Sequence, residues 1–298
     1  MALTESGSYC GITPRSLDGP IATQFARSGY AEGQNVAFEV RYAMDRTDRA
    51  RELARELVGL NVDIIVAHFT PAAIAAKEAT GTIPIVMSLV GAPVENGLVE
   101  SLARPGGNIT GISVLGAELA GKRLELLRQM IPPLSRVTVL ASASATNPYV
   151  QPFVRETATA AGKLGIRLDP VLVDGPADFE RAFATMVKNQ TQAVIVQPLF
   201  DPHRMMIIEL AAKHRLATMF GYRESNGGRG LISYAANPAE LFKRVAVLVD
   251  KILKGAKPAD LPVEQAANFE LVINLKTAKA LGIEVPPSIF ALADEVIE

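Results

Sequence analysis

Residues 62–88 read VDIIVAHFTPAAIAAKEATGTIPIVMS, and this stretch decides the fold class. Val62-Asp63-Ile64-Ile65-Val66-Ala67 is a short, β-branched run that suits a buried strand. Pro71–Thr80 follows as an Ala-rich helix, and Ile83–Ser88 returns to the strand pattern. A strand, a helix and a second strand in close succession predict a βαβ unit with parallel strands.

The alternation extends outward. Val36–Tyr42 alternates apolar and polar residues as a half-buried strand does, Asp45–Leu60 has helical periodicity, and Ile109–Ser113 is another strand. A long helix, Ala117–Met130, closes at Pro132-Pro133, after which the plan repeats. Strands are expected at Arg136–Ala141, Arg167–Val173 and Ala193–Gln197, with helices at Tyr149–Leu164, Asp178–Lys188 and Pro202–His214. Further strands fall at Ala217–Phe220, Leu231–Ser233 and Phe269–Ile273, and a helix at Pro238–Lys254 ends at Gly255 and Pro258. Two successive series predict an α/β protein of two Rossmann-like lobes, each with a parallel sheet. The first lobe is expected over 1–112 plus about 234–262, the second over 113–233 plus about 263–298. No Gly/Ser-rich linker marks the boundary, so short strand-like crossings should join the lobes, with a ligand cleft between them.

Composition agrees. A chain of 298 residues fits two compact lobes. Hydrophobic residues make up 49% and charged residues 20%, a globular balance. Lys plus Arg is 30 and Asp plus Glu is 31, a net charge of −1, and no basic block offers a nucleic-acid surface. No apolar run has the length of a membrane span. Cys10 is the only cysteine, which excludes an internal disulfide and favours a buried or incidental thiol. Met1–Ser16 lacks a basic segment followed by an apolar one, so no signal peptide is expected there.

Helix starts recur after the strands. Thr70-Pro71, Asn147-Pro148, Asp201-Pro202 and Asn237-Pro238 each pair a good N-cap with Pro at the first helical position. All four are explained as plain helix starts. Three of them follow strands, however, where open parallel sheets bind ligands and helix N–H groups attract anions. In the first lobe this singles out Thr70, Pro71 and Ala72, with Ala73 beside them and Ser88 at the next strand end. In the second it singles out Ser144, Asn147, Gln197, Phe200, Tyr222 and Arg223, with Ser142 at the same edge. Phe200 and Tyr222 read equally well as core or surface residues.

Signals for chemistry are few. His68, at a strand end, is a candidate to line the cleft. His203 and His214, expected on one helix, are eleven residues apart and do not form a metal pair. No zinc spacing, nucleophile elbow or phosphate loop is present, so neither metal nor cofactor is expected. Arg104–Asn108 is Gly-rich but follows a helix and precedes a strand, which makes it a turn. Glu224 and Arg223 read as an acid and its orienter or, as is usual for such neighbours, as a surface ion pair.

Longer strings carry a resemblance. Gly29–Val36 (GYAEGQNV), Ala54–Val66, Ile83–Val86, Asn96–Gly111 (NGLVESLARPGGNITG) and Lys122–Leu127 (KRLELL) occur in order. Gly230–Tyr234 (GLISY), Val249–Glu264 (VDKILKGAKPADLPVE), Phe269–Gly282 (FELVINLKTAKALG) and Ala293–Glu298 follow. Over residues 29–298 the chain resembles the ABC transporter substrate-binding family that includes tryptophan-type binding proteins. The resemblance implies a type I periplasmic-binding-protein fold with three crossings and a periplasmic or extracellular location. It implies a monomer that binds a small molecule, delivers it to an ABC permease and performs no catalysis.

Two departures bear on the ligand. The family's loop reads Gly-Asp-Pro-Val where this chain has Gly91-Ala92-Pro93-Val94. Ala92 cannot pair with an ammonium group, so a carboxylate that is not a typical amino acid is expected. Phe69, Phe200 and Tyr222 are placed to surround an apolar or aromatic body, with Glu224 the acid that would replace the missing Asp. The first βα unit is weakly matched, with Ser8–Thr13 expected as its strand and a trimmed helix near Asp18–Ser28. Two other functions share the fold class: the sensor core of a regulator, which needs a DNA-binding segment, and a doubly wound enzyme, which needs a nucleophile or cofactor loop.

Overall fold

The computed structural model describes residues 2–5, 20–43, 47–114, 116–143, 150–221 and 229–298. They divide into two compact units. Residues 2–5, 20–43, 47–114 and 237–268 form the first; 116–143, 150–221, 229–236 and 269–298 form the second.

The first unit is built on β1 (Ala2–Glu5), β2 (Glu39–Tyr42), β3 (Ile65–His68), β4 (Ile85–Gly91), β5 (Ile109–Val114) and the two-residue β11 (Glu264–Gln265). The sheet order is β11-β5-β4-β3-β1-β2, and every pairing is parallel. Burial explains the apolar runs: all four residues of β3 are buried, as a central parallel strand covered on both faces requires. Its helices are α1 (Pro20–Arg27), α2 (Thr47–Gly59), α3 (Phe69–Ala79) and α8 (Pro238–Leu253). The first strand lies at Ala2–Glu5 and not at Ser8–Thr13, which falls outside the described residues, as does Cys10. Pairing reaches later than expected at the boundary, because Glu264 and Gln265 register with Ile112 and Ser113 of β5. Residues 263–268 therefore belong to the first unit.

The GYAEGQN string is accounted for by architecture. Gly29 and Gly33 adopt φ of 88° and 76°, open to glycine at no steric cost. Asn35 Oδ1 accepts from the Ala31 N–H at 2.7 Å, and its Nδ2 donates to the Gly29 carbonyl at 2.8 Å. The Tyr30 hydroxyl donates to Asp250 Oδ1 on α8 at 2.8 Å, and burial beside that carboxylate pushes its pKa up to about 12.

The second unit contains β6 (Arg136–Ser142), β7 (Arg167–Val173), β8 (Ala193–Val196), β9 (Ala217–Phe220), β10 (Ile232–Ala236), β12 (Phe269–Asn274) and β13 (Glu295–Ile297). The order is β13-β12-β10-β9-β8-β6-β7. One pairing departs from the all-parallel expectation: β12 runs antiparallel to β10, with Ile232 opposite Ile273 and Ala236 opposite Phe269. That pairing keeps Tyr234–Ala236 in the second unit, later than the expected boundary. Pro170 sits on the edge strand β7, where its missing N–H interrupts only an unpaired side. The helices are α4 (Gly116–Met130), α5 (Val150–Lys163), α6 (Phe179–Lys188), α7 (Arg204–Lys213), α9 (Leu275–Leu281) and α10 (Pro287–Phe290). Within the KRLELL string, Arg123 is buried and donates from Nε and Nη2 to the Tyr234 carbonyl at 3.1 and 3.0 Å, tying α4 to β10.

Candidate functional site

Each sheet has a carboxyl edge, where strands feed helix starts. In the first unit β3 runs into α3 with no loop between them. The turn is made at Phe69, whose φ of 67° is left-handed. The helix N-cap is consequently His68, not Thr70, and its side chain makes no capping bond. The Thr70 hydroxyl instead accepts from the Gly91 N–H at 3.2 Å, binding the start of α3 to the end of β4. Pro71, Ala72 and Ala73 are buried, and the two alanines join the core cluster with Leu57, Ile65 and Ile85. Their small size serves helix–sheet packing. The backbone amides of Thr70 and Ala72 lie in the first helical turn, where the helix ladder supplies no acceptor.

Under that helix start lies His68, 3% exposed and paired in register with Ser88. Its Nδ1 is 3.2 Å from the Ser88 hydroxyl. The imidazole is 3.9 Å from the Phe69 ring and 5.7 Å from that of Phe242 on α8, centroid to centroid. Burial lowers its pKa to about 3, so it is neutral near pH 7. Ser88 is fully buried, occupied with the imidazole.

A β-bulge shapes the same edge. Met87 opposes Gly111 and Val90 opposes Ser113, so Ser88 and Leu89 face one residue of β5. Leu89 takes a φ of 55°. A Cβ on Gly111 would lie 2.0 Å from the Met87 carbonyl oxygen, so only glycine fits. The following loop is closed on itself: Asn96 donates its backbone N–H to the Ala92 carbonyl at 3.0 Å and its Nδ2 to the Gly91 carbonyl at 2.9 Å. Ala92 has a φ of 46°.

In the second unit Gln197 follows β8 with no exposed surface. Its Oε1 accepts from the Ser142 N–H at the end of β6, at 2.8 Å. That bond fixes the amide's orientation and turns Nε2 away from Ser142; among the described residues Nε2 has no partner. Residues 198–203 form a 3₁₀ turn before α7, so Asp201 lies inside this turn and the N-cap of α7 is His203. His203 and His214 flank α7 rather than share it. Phe200 is 5% exposed and packs edge-on against Phe179, 5.3 Å between centroids, within the core. The core accounts for it as fully as a ligand would. Ser144, Asn147, Tyr222 and Arg223, with Glu224, lie outside the described residues.

The structure thus gathers Thr70, Pro71, Ala72 and Ser88 at one sheet edge and Gln197 and Phe200 at the other. Sequence reasoning missed Phe242, whose apolar position on α8 has only the period of a core face, and Leu89, since a bulge leaves no composition signal. Gly111 was the one available hint, a glycine inside a strand pattern.

Known proteins resemble this chain in sequence and fold. The family model described as ABC transporter substrate binding protein matches residues 18–297. A tyrosine-binding protein of Clostridioides difficile is 28% identical over 258 residues, covering 86% of this chain and 73% of that protein. An ABC domain from Streptococcus pneumonia, solved in complex with L-Trp, superposes with a TM-score of 0.88 at 26% identity, over 99% of this chain and 98% of that one. A conserved domain protein from Vibrio cholerae matches with the same TM-score, identity and coverage.

Proposed function

Because this chain belongs to the ABC transporter substrate-binding protein family, we propose that it is the solute receptor of an importer. It works on the periplasmic or extracellular side, hands its ligand to a membrane permease and performs no chemistry. The fold is that of type I periplasmic binding proteins. Regulators share that fold, but the family match runs from residue 18 to residue 297 and supports the transport reading.

The ligand we propose is a small carboxylate with an aromatic or apolar body, taken up by closure of the two units. One observation carries this reading: the buried Nε2 of Gln197, a donor without an acceptor. Such a group is costly in an interior and is accounted for when a ligand oxygen completes it. The first-turn amides of Thr70 and Ala72 supply further donors of the kind that hold carboxylates. Relatives that bind tyrosine and L-Trp support the ring. They also favour a second reading, an aromatic amino acid, whereas Ala92 puts no carboxylate where the family has one for an ammonium group.

Calorimetric titration of phenylpropanoate and phenylalanine separates these readings. The deaminated acid should bind at least as tightly as the amino acid. Gln197→Glu, which keeps the acceptor for the Ser142 N–H and removes only the donor, should weaken it at least tenfold, the loss of one charge-assisted hydrogen bond. A more than tenfold preference for phenylalanine gives the amine a partner and selects the second reading. Unchanged affinity in Gln197→Glu removes Gln197 from the site.

A further inference from the structure

We propose that Gln197 sets the polarity of the ligand group that the second unit accepts, admitting an oxygen acceptor and turning an amine away. The inference rests on the reading of Gln197 as a ligand donor and adds to it the class of head group that the position excludes.

A glutamine amide can serve either kind of partner. Its oxygen accepts, its nitrogen donates, and a half-turn of the last torsion exchanges them. Gln197 has lost that freedom. Its Oε1 accepts from the Ser142 N–H at 2.8 Å. A turned amide would set its NH₂ against that N–H, donor against donor. The Ser142 N–H has no freedom to adjust, because Ser142 is the last residue of β6 and is held in register with Val173 of β7. Gln197 is fully buried and Ser142 is 6% exposed, so the mismatch would lie in the interior, where an unmet donor is costly. The amide therefore offers a ligand one function only. That function is the donor Nε2, buried and without a partner among the described residues.

The surroundings have the same polarity. β8 and β9 run in register from Ala193 opposite Ala217 to Ile195 opposite Met219. Gln197 continues the extended backbone, with φ of −61° and ψ of 134°, which carries it to the level of Gly221 on the neighbouring strand. A Cβ on Gly221 would lie 2.8 Å from Pro198 Cγ and 3.3 Å from Arg123 Nη2. Glycine thus keeps a place beside Gln197 for a guanidinium, which donates to the Tyr234 carbonyl. The amide has the Ser142 N–H at its oxygen and the Arg123 guanidinium across Gly221, and both are donors. An oxygen brought to Nε2 completes it. An ammonium brought there adds one more donor with no acceptor and loses its hydration. The assignment covers both ligands considered above: in an aromatic amino acid, the carboxylate and not the ammonium group meets Gln197.

The test compares two head groups on one ring. Phenylpropanoate and 3-phenylpropylamine are titrated by calorimetry at pH 8 into the wild type, Gln197→Glu and Gln197→Leu. The wild type should prefer the acid. Gln197→Glu keeps the acceptor for Ser142 and replaces the donor with an anionic acceptor. Its acid-to-amine affinity ratio should fall about a hundredfold, from a roughly tenfold loss on one ligand and a roughly tenfold gain on the other. Gln197→Leu has neither polar atom and should lower the ratio about tenfold without favouring the amine. Each ratio compares two ligands on one protein, so a loss of stability common to both cancels. A ratio unchanged in both variants, with the wild type preferring the acid, overturns the assignment and leaves the carboxylate reading intact. A wild type that binds the amine as tightly as the acid overturns both.

Discussion

His68 carries an ionisable group into an interior that tolerates only one of its forms. Its folded pKa, about 3, lies below the ordinary 6.5, so the native state disfavours the proton that the unfolded chain accepts. The stability linked to this difference is present above pH 6.5 and is lost as pH falls from 6.5 toward 3. One proton per molecule is worth about 1.4 kcal/mol per pH unit. Wild type should therefore lose about 2 kcal/mol more than His68→Gln between pH 7 and pH 5. Burial also lowers the pKa of His203, but both proteins share that contribution and it cancels in the difference. Equal pH slopes in denaturant titrations of the two proteins would show that His68 is not the buried neutral group described. Thr70 teaches a related lesson. Its hydroxyl accepts from a buried N–H, so Thr70→Val would orphan the Gly91 amide and confound a binding measurement with lost stability; Thr70→Ser is the cleaner variant. The sequence showed a helix start at Thr70, but the true cap was hidden because Phe69 turns in a conformation its residue type does not announce.

Helices and strands were legible where burial is two-sided. The run at residues 62–67 and the strands at 193–197 and 217–220 are apolar because helices cover their sheets on both faces, and there the reading and the structure agree within a few residues. Short elements, whether at a sheet edge or, like β1, between two strands, carry no such pattern. Ala2–Glu5, Glu264–Gln265 and Glu295–Ile297 contain charged or polar residues and become strands only through pairing with β1's neighbours, β5 and β12. The direction of β12 was equally hidden, since antiparallel pairing with β10 changes no residue type. Caps divide along the same line. Asn237 was legible as a cap: its Oδ1 accepts from the Glu240 N–H at 2.9 Å, with Pro238 in the first turn. Asn237→Ala should cost about 1 kcal/mol in urea unfolding. Asp201 carries the same sequence signal but lies in a 3₁₀ turn, so Asp201→Ala should not show a cap loss of that kind. A loss below about 0.3 kcal/mol in Asn237→Ala would contradict the cap.

At the scale of the whole chain, the path matters more than any element. It leaves the first unit between β5 and α4, returns between β10 and α8, and leaves again between β11 and β12. No single segment can then move one unit without involving the others, which suits a hinge made of a few residues in parallel crossings. The proposed function draws on donors from both units, the first-turn amides of Thr70 and Ala72 in one and the Nε2 of Gln197, which has no partner among the described residues, in the other. A ligand can shift an equilibrium only by its differential affinity for the two states. Closure therefore requires that it bind better when both sets of donors reach it, and removing one set should remove the drive to close. Small-angle scattering of the wild type should show a smaller radius of gyration with saturating phenylpropanoate, or phenylalanine if that binds tighter, than without it. Gln197→Glu, saturated with the same acid at higher concentration, should compact less. A wild type that binds tightly with unchanged scattering would place the whole site within one unit, and the shared-donor account would fail even with the ligand class correct.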